Sequence, residues 1–339
     1  MAAGTLPFCV GSAQDDSKLT ESLKAQVKSS RKKGLDWIAS NQSKLGYWSA
    51  EGTYYSAMTA LAGIAMTCSG STTTQGPYAK NISNAVDFLL TQVKQNGLIG
   101  NPKTDDRYTY GHGFAMLFLS QVLGEEETRE RRRDLIEALK GAVKFSINAQ
   151  TKAGGWGYLS AKEGNDFDEG STTITQVQGL RGCRNSGIKV PKQVIDNAIE
   201  YIYQCKNKDG GISYSSSKEH QGVSRPAITA AALATLYNAG EKESKHVPEM
   251  WKFAKRRLHS LSDDQTWGHW HYTFLYYTQV VYRQGPKEWG PYRNRLYTRL
   301  IKAQKENGSW EGEVAPIYVT SCCLIMLQLE LAYLPIFQR

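Results

Sequence analysis

Three segments of this 339-residue chain spell Gln, three residues, Gly, one residue, Trp: Gln42 to Trp48, Gln150 to Trp156 and Gln304 to Trp310. Each follows a charged stretch with helical periodicity and precedes a more apolar one. An internal repeat of this kind limits the fold before any single side chain is considered. Weakened copies stand at Asn96-Gly97-Leu98-Ile99 and Asp209-Gly210-Gly211-Ile212, and a further one at Asp264-Gln265-Thr266-Trp267-Gly268. The turn glycines 46, 97, 154, 210, 268 and 308 then mark six units.

Each unit reads as two helices. In 133–147, Leu135, Leu139, Val143 and Ile147 fall four apart among Arg, Lys and Glu, the pattern of a helix with one buried face. In 54–69, the run Ala57, Met58, Ala60, Leu61, Ala62, Ile64 and Ala65 is apolar nearly all round, the pattern of a helix buried on every side. The same alternation predicts charged first helices near 18–42, 78–96, 126–150, 191–206, 247–260 and 287–306. It predicts apolar second helices near 54–69, 109–123, 171–186, 224–239, 270–284 and 316–331. Gly70, Gly124, Gly187, Gly240 and Gly285 stand where second helices end, the usual place for a left-handed residue. Pro248 and Pro286 stand where the next helices begin, where a missing N–H does little harm.

Six hairpins with apolar second helices bury those helices best as an inner ring, with the first helices outside. The expected fold is all-α, a single α6/α6 toroid over 18–339, preceded by a flexible tail over 1–17. An open superhelix is the alternative, but it needs polar capping repeats, and 319–331 is too apolar to be one.

The repeats resemble the QW repeats of the prenyltransferase/squalene oxidase repeat superfamily. That group includes squalene–hopene cyclases, other class II terpenoid cyclases and protein prenyltransferase β subunits. The resemblance covers roughly 20–339. The ending Tyr333-Leu-Pro-Ile-Phe-Gln-Arg339, with Gly308-Ser-Trp310 upstream, is similar to a bacterial branch mostly of unassigned function. The resemblance implies that each motif Gln ties to a neighbouring helix end and that the Trp stacks on it.

It also implies a chemistry. Class II cyclases protonate an alkene with a strong carboxylic acid from an Asp-x-Asp-Asp motif and guide the cation past aromatic faces. Here Gly154-Gly155-Trp156-Gly157-Tyr158 is followed by Asp166-Phe167-Asp168-Glu169 and then by a helix from Ser171. Asp166, Asp168 and Glu169 are therefore the candidate catalytic acids. Counted back from that helix, the family's acids would fall nearer 169–172, which here reads Glu-Gly-Ser-Thr. Asp168, Glu169 and Ser171 also suit the cap of a helix start, where negative charge is favoured. Protein prenyltransferases hold zinc with an Asp-x-Cys pair and a distant His; no Asp-x-Cys occurs, and His269 with His271 lacks a third ligand. Gly182-Cys183-Arg184 is not a thioester motif. No metal or cofactor is expected.

If the ring closes, all second helices start at one rim. Those starts carry Tyr54, Tyr55, Tyr110, His112, Arg225, Trp267, His269, His271 and Tyr318, and the inner helices add Tyr272 and Tyr276. These are the candidate substrate-binding residues. Three functions follow: a cyclase-like enzyme acting on a polyprenoid, a non-catalytic binding module, or a glycan lyase or hydrolase using Tyr110, His112 and Arg225. An empty aromatic-lined ring favours the first and a filled ring the second.

The net charge of +9 comes from basic runs mixed with acids on first helices, which reads as a solvated outer face rather than a nucleic-acid site. The expected partner is an apolar, isoprenoid-type small molecule, with at most peripheral membrane contact. The first residues do not read as a signal peptide, so the expectation is cytoplasmic, or exported if a leader was trimmed. The six cysteines show no paired spacing.

Overall fold

The computed structural model describes residues 18–164, 166–263 and 269–338. Among these are twelve α-helices and no strands. They are α1 (Glu21–Ser40), α2 (Tyr55–Thr67), α3 (Ala79–Thr91), α4 (Tyr108–Val122), α5 (Arg129–Ala149), α6 (Gly170–Asn185), α7 (Lys192–Gln204), α8 (Pro226–Ala239), α9 (Val247–Leu258), α10 (Trp270–Arg283), α11 (Pro286–Ala303) and α12 (Pro316–Gln328). The tail 1–17 and Trp267 lie outside the described residues.

The even-numbered helices form the inner ring: α2 packs on α4, α4 on α6, α6 on α8, α8 on α10, α10 on α12, and α12 returns to α2. The odd-numbered helices pack outside them, and α1 touches both α11 and α12 across the seam. Hydrogen bonds lock that seam. Gln304 Nε2 donates to the Ser30 carbonyl at 2.9 Å, and Gln328 Nε2 donates to the Ala65 carbonyl at 2.9 Å. The chain is thus a closed α6/α6 toroid.

The repeat motif makes the corners. Gln42, Gln150 and Gln304 each donate to the carbonyl of the motif glycine at 2.8 Å and to a carbonyl of the next outer helix at 2.9 Å. Each motif Trp is buried and donates its indole N–H to a carbonyl ten residues earlier: Trp48 to Ile38, Trp156 to Ser146, Trp310 to Leu300. So Gln ties forward and Trp ties back, and each corner is pinned to both neighbouring outer helices. Gly154 shows why glycine sits between them. Its φ is +98°, and a Cβ there would lie 2.2 Å from the Asn197 carbonyl oxygen.

Inner and outer helices differ as the patterning predicts. Inner helices are buried nearly all round, whereas the outer ones bury a single stripe. The expected stripe on α5 holds at Leu135, Leu139 and Val143 but fails at Ile147, which is 38% exposed. A step of four overshoots the 3.6-residue turn, so the stripe drifts, and Ser146 and Ala149 take the inward positions instead. Helix α3 stops at Thr91 rather than near 96 because the Gly97 corner begins earlier, with Lys94 N–H bonding to the Leu98 carbonyl. Beyond α12 the chain tightens into a 3-10 turn over Leu329–Leu331.

Several members of the basic runs pair with acids, mostly on neighbouring elements. Arg131 meets Asp87 and Glu127, Lys255 meets Glu288, and Arg293 meets Glu330. Cys68, Cys183, Cys205, Cys322 and Cys323 are buried thiols, not disulfides. No described helix is long and apolar enough to cross a membrane.

Candidate functional site

All six inner helices start at one rim, so their positive dipole ends converge there. Glu169 answers that charge at α6. It is fully buried and caps the helix, accepting from the N–H groups of Ser171 (3.0 Å) and Thr172 (2.5 Å) and from both their hydroxyls. Burial pushes its carboxyl above the usual range; the four hydrogen bonds favour the ionised form and only partly offset that.

The Glu169 carboxylate is not isolated from the mouth. The Tyr110 hydroxyl donates to Ser171 Oγ, and Ser171 Oγ donates to Glu169 Oε2 at 2.5 Å. The result is a continuous chain, phenol to hydroxyl to carboxylate. Tyr272 reaches across the ring from α10, its hydroxyl donating to the Ser171 carbonyl at 3.3 Å. Its ring meets Tyr276 edge-on at 5.0 Å. Burial first, then neighbouring hydroxyl or thiol groups and the Glu169 carboxylate, hold Tyr110, Tyr272 and Tyr276 well above the ordinary phenol range. Tyr318, from α12, feels burial first and then Cys322, Tyr276 and Tyr110. Among the sequence candidates, the structure brings together Glu169, Tyr110, Tyr272, Tyr276 and Tyr318.

Two further tyrosines complete the collar, and neither was singled out from the sequence. Tyr158 stacks on Tyr110 with centroids 6.0 Å apart, and its hydroxyl lies 2.6 Å from that of Tyr214. Arg107 lies over the Tyr158 ring at 4.6 Å, and Arg225 over the Tyr214 ring at 4.5 Å. A signal for the pair was available. Tyr158 follows Trp156 by two residues, and Tyr214 follows Ile212, the equivalent corner residue, by two.

Other candidates are placed elsewhere. Asp168 accepts from Ser215 Oγ (3.0 Å), Ser216 N–H (2.9 Å) and Ser216 Oγ (2.7 Å), fastening the 213–217 loop. Asp166 accepts from Lys152 N–H at 3.1 Å and fastens the preceding corner. The three acids therefore do not form one cluster. His112 sits in the wall rather than at the mouth. Its Nδ1 accepts from Ile99 N–H at 3.0 Å, and its Nε2 faces the Ala142 carbonyl at 3.1 Å. Burial lowers its pKa to about 4. Tyr54, in a left-handed conformation, bonds Asp106 at 2.5 Å, and Tyr55 packs edge-on against Tyr47. His269 is exposed at the start of α10, and His271 Nδ1 lies 2.9 Å from Glu313, which also caps α10 by accepting from Trp270 N–H.

Asp105, before α4, is a rim acid that the sequence reading passed over. It is buried, and burial raises its pKa to about 6. Its Oδ1 accepts from Arg107 N–H at 3.0 Å, while its Oδ2 has no hydrogen-bond partner among the described residues.

The interior of the ring is crossed by side chains. Besides Tyr272 to Ser171, Gln178 on α6 donates to Gln279 on α10 at 2.8 Å. Three depressions lie away from the collar, at the opposite rim and on the outer helices.

No protein-family profile and no curated protein matches the chain by sequence. Its fold, by contrast, has clear counterparts. A point variant of the type II terpene cyclase MstE from Scytonema, in complex with geranylgeranyl dihydroxybenzoate, superposes with a TM-score of 0.61 at 13% identity, over 93% of this chain and 100% of that one. A protein from Actinoplanes superposes with a TM-score of 0.58 at 14% identity, over 89% and 98%. The family 76 glycoside hydrolase (mannosidase) Bt3792 from Bacteroides thetaiotaomicron gives 0.59 at 10% identity, over 91% and 98%. At these identities the likeness establishes the α/α toroid, an architecture used by both terpene and glycan enzymes.

Proposed function

We propose that the tyrosine collar binds a chain-like apolar small molecule of the isoprenoid class, and that Glu169 handles a proton on it through Ser171 and Tyr110. The observation that carries this reading is the buried Glu169 carboxyl joined by an unbroken hydrogen-bond chain to a mouth lined by Tyr110, Tyr158, Tyr214, Tyr272 and Tyr318. Aromatic faces suit an alkene chain and any cation formed on it. The fold neighbour MstE is seen with a geranylgeranyl compound, which supports this ligand class. The bridges Gln178–Gln279 and Tyr272–Ser171 cross the ring, the arrangement expected of a binding module. The ligand is therefore held at the mouth, and the catalytic part of the reading rests on the Glu169–Ser171–Tyr110 chain alone.

Hydrogen bonding to the ionised carboxylate points the chain from Tyr110 inward, the arrangement of a base; a protonated Glu169 reverses it and makes an acid. Raising the carboxyl pKa toward neutrality serves both roles.

The test is incubation with geranylgeranyl-substituted phenols, with binding read by tyrosine fluorescence and conversion by chromatography for an isomer of unchanged mass. Wild type should bind and convert. Tyr110→Phe and Glu169→Gln should bind within about threefold of wild type yet lose conversion by at least about 100-fold, the usual weight of a positioned proton-transfer group. Binding without conversion in wild type would establish the non-catalytic reading. Absence of binding would end the isoprenoid proposal.

A further inference from the structure

The rim opposite the tyrosine collar is built around cations. Here the C-terminal ends of α6, α8 and α10 meet the turn Pro335–Phe337, around a depression of about 350 Å³. Arg181 from α6, Arg283 from α10 and Lys242 from the loop after α8 line it, with Asn185, Tyr237 and Gln338.

Part of this charge has a structural task. Helix C-termini present unbonded carbonyls, and basic side chains satisfy them. Arg181 donates to the Asn238 carbonyl at 2.5 Å, Arg283 to the Ile336 carbonyl at 2.6 Å, and Lys242 to the Arg283 carbonyl at 3.0 Å. The negative dipole ends of α6, α8 and α10 offset part of this charge, roughly half a unit each, and an excess of positive charge from the three cations remains. Among the described residues no carboxylate pairs with any of the three. Among the described residues, Arg181 Nε and Arg283 Nη1 are buried with no acceptor. Burial, and then the nearby Arg181, lower the Arg283 pKa to about 10. Arg181 is likewise lowered by burial and then by Arg184.

Like charges gathered in a concave, polar place, with unused guanidinium donors, are costly unless something compensates them. A guanidinium fork matches the two oxygens of a carboxylate or phosphate. We infer that this depression is a binding site for a small organic anion, a phosphate or carboxylate compound, held by Arg181 and Arg283 with Lys242 at its edge. The site is distinct from the collar, because the two lie at opposite ends of the inner helices. Its occupant would also clamp the C-terminal segment, since Arg283 holds the Ile336 carbonyl and Gln338 forms part of the wall.

Calorimetric titration of the whole chain with inorganic phosphate and, separately, with citrate, at constant ionic strength, tests this. Wild type should bind one of the two anions with a Kd below roughly 1 mM, and Arg181→Gln should weaken it at least about tenfold, a loss of one charged hydrogen-bonding partner. Arg283→Gln should do the same. Because it could also loosen the 335–338 segment, Arg181→Gln is the deciding variant, with circular dichroism confirming its fold. Arg133→Gln, on the exposed face of α5, controls for diffuse charge and should change nothing. Preference for phosphate or for citrate tells the two head groups apart. Binding of neither anion, equal affinity in wild type and Arg181→Gln, or an equal loss in Arg133→Gln would overturn the site.

Discussion

At the scale of single residues, His112 shows how the repeat assigns work. The corner N–H groups of Trp48, Trp156, Ile212 and Trp310 donate to Thr59, Thr173, Thr229 and Thr320, each at the fourth or fifth position of an inner helix. In the second unit the corner donor is Ile99, and His112 takes the threonine's place. Its type suggested the mouth, but its register puts it in the wall. Its low pKa has a consequence. Unfolded His titrates near 6.5, whereas folded His112 stays neutral down to about 4. Between those values the unfolded chain binds the extra proton, so this contribution is complete above about pH 6.5 and falls as pH drops toward 4. Asp105, with its raised pKa, acts in the opposite sense, so the effect must be read as a difference between variants. Comparing urea unfolding at pH 7.5 and pH 5, His112→Gln should show a smaller loss of stability than wild type, by about 1–2 kcal/mol. Equal losses would show that His112 does not titrate in this way.

At the scale of the element, helix type and position were legible because periodicity reports burial directly. All twelve expected helices are found, most ends within three residues. The 3.6-residue period separates one-sided from all-round burial, which is the difference between outer and inner rings. The collar was only half legible. Tyr110, Tyr272, Tyr276 and Tyr318 lie on helices, whose faces the pattern fixes. Asp166, Asp168 and Glu169 lie in one loop, and there the local path decides which carboxyl turns inward. The hydroxyls of Ser215 and Ser216 capture Asp168, and no sequence spacing announces that. A helix-end glycine and a corner glycine give a test at this scale. Gly187 and Gly154 both have positive φ, but a Cβ at Gly187 meets nothing within 4 Å, while one at Gly154 strikes the Asn197 backbone. Gly187→Ala should cost about 1 kcal/mol, the left-handed penalty alone. Gly154→Ala should cost about 3 kcal/mol or more, because the corner must also move away from α7. Thermal unfolding of the two variants distinguishes these values, and equal costs would mean that the corner is not tightly packed.

At the scale of the molecule, closure makes the unfolding behaviour differ from that of a solenoid. In an open array each unit contacts only its neighbours, and ends fray first. Here the last unit supports the first: Gln304, just past α11, holds α1, and Gln328 on α12 holds α2. Gln304→Ala removes two bonds to carbonyls and should cost about 1–3 kcal/mol. That loss should appear as a lower midpoint for a single transition, with faster hydrogen exchange in α1 as well as α11. Fraying confined to α11 and α12 would contradict the closed ring. Closure also places the collar, since Tyr110 and Tyr318 come from the second and sixth units and share one mouth only when the ends meet.

The most direct measurement of that closure uses the chain's own lysines. The Lys33 carbonyl borders Gly308 at the seam, and Lys305 occupies the same corner, while both lysine side chains belong to exposed residues. A short amine-reactive cross-linker applied to dilute protein, followed by mass spectrometry of the monomer band, should recover a Lys33–Lys305 cross-link. Cross-links between adjacent units alone, with none joining the first corner to the last, would contradict the toroid and the shared mouth built on it.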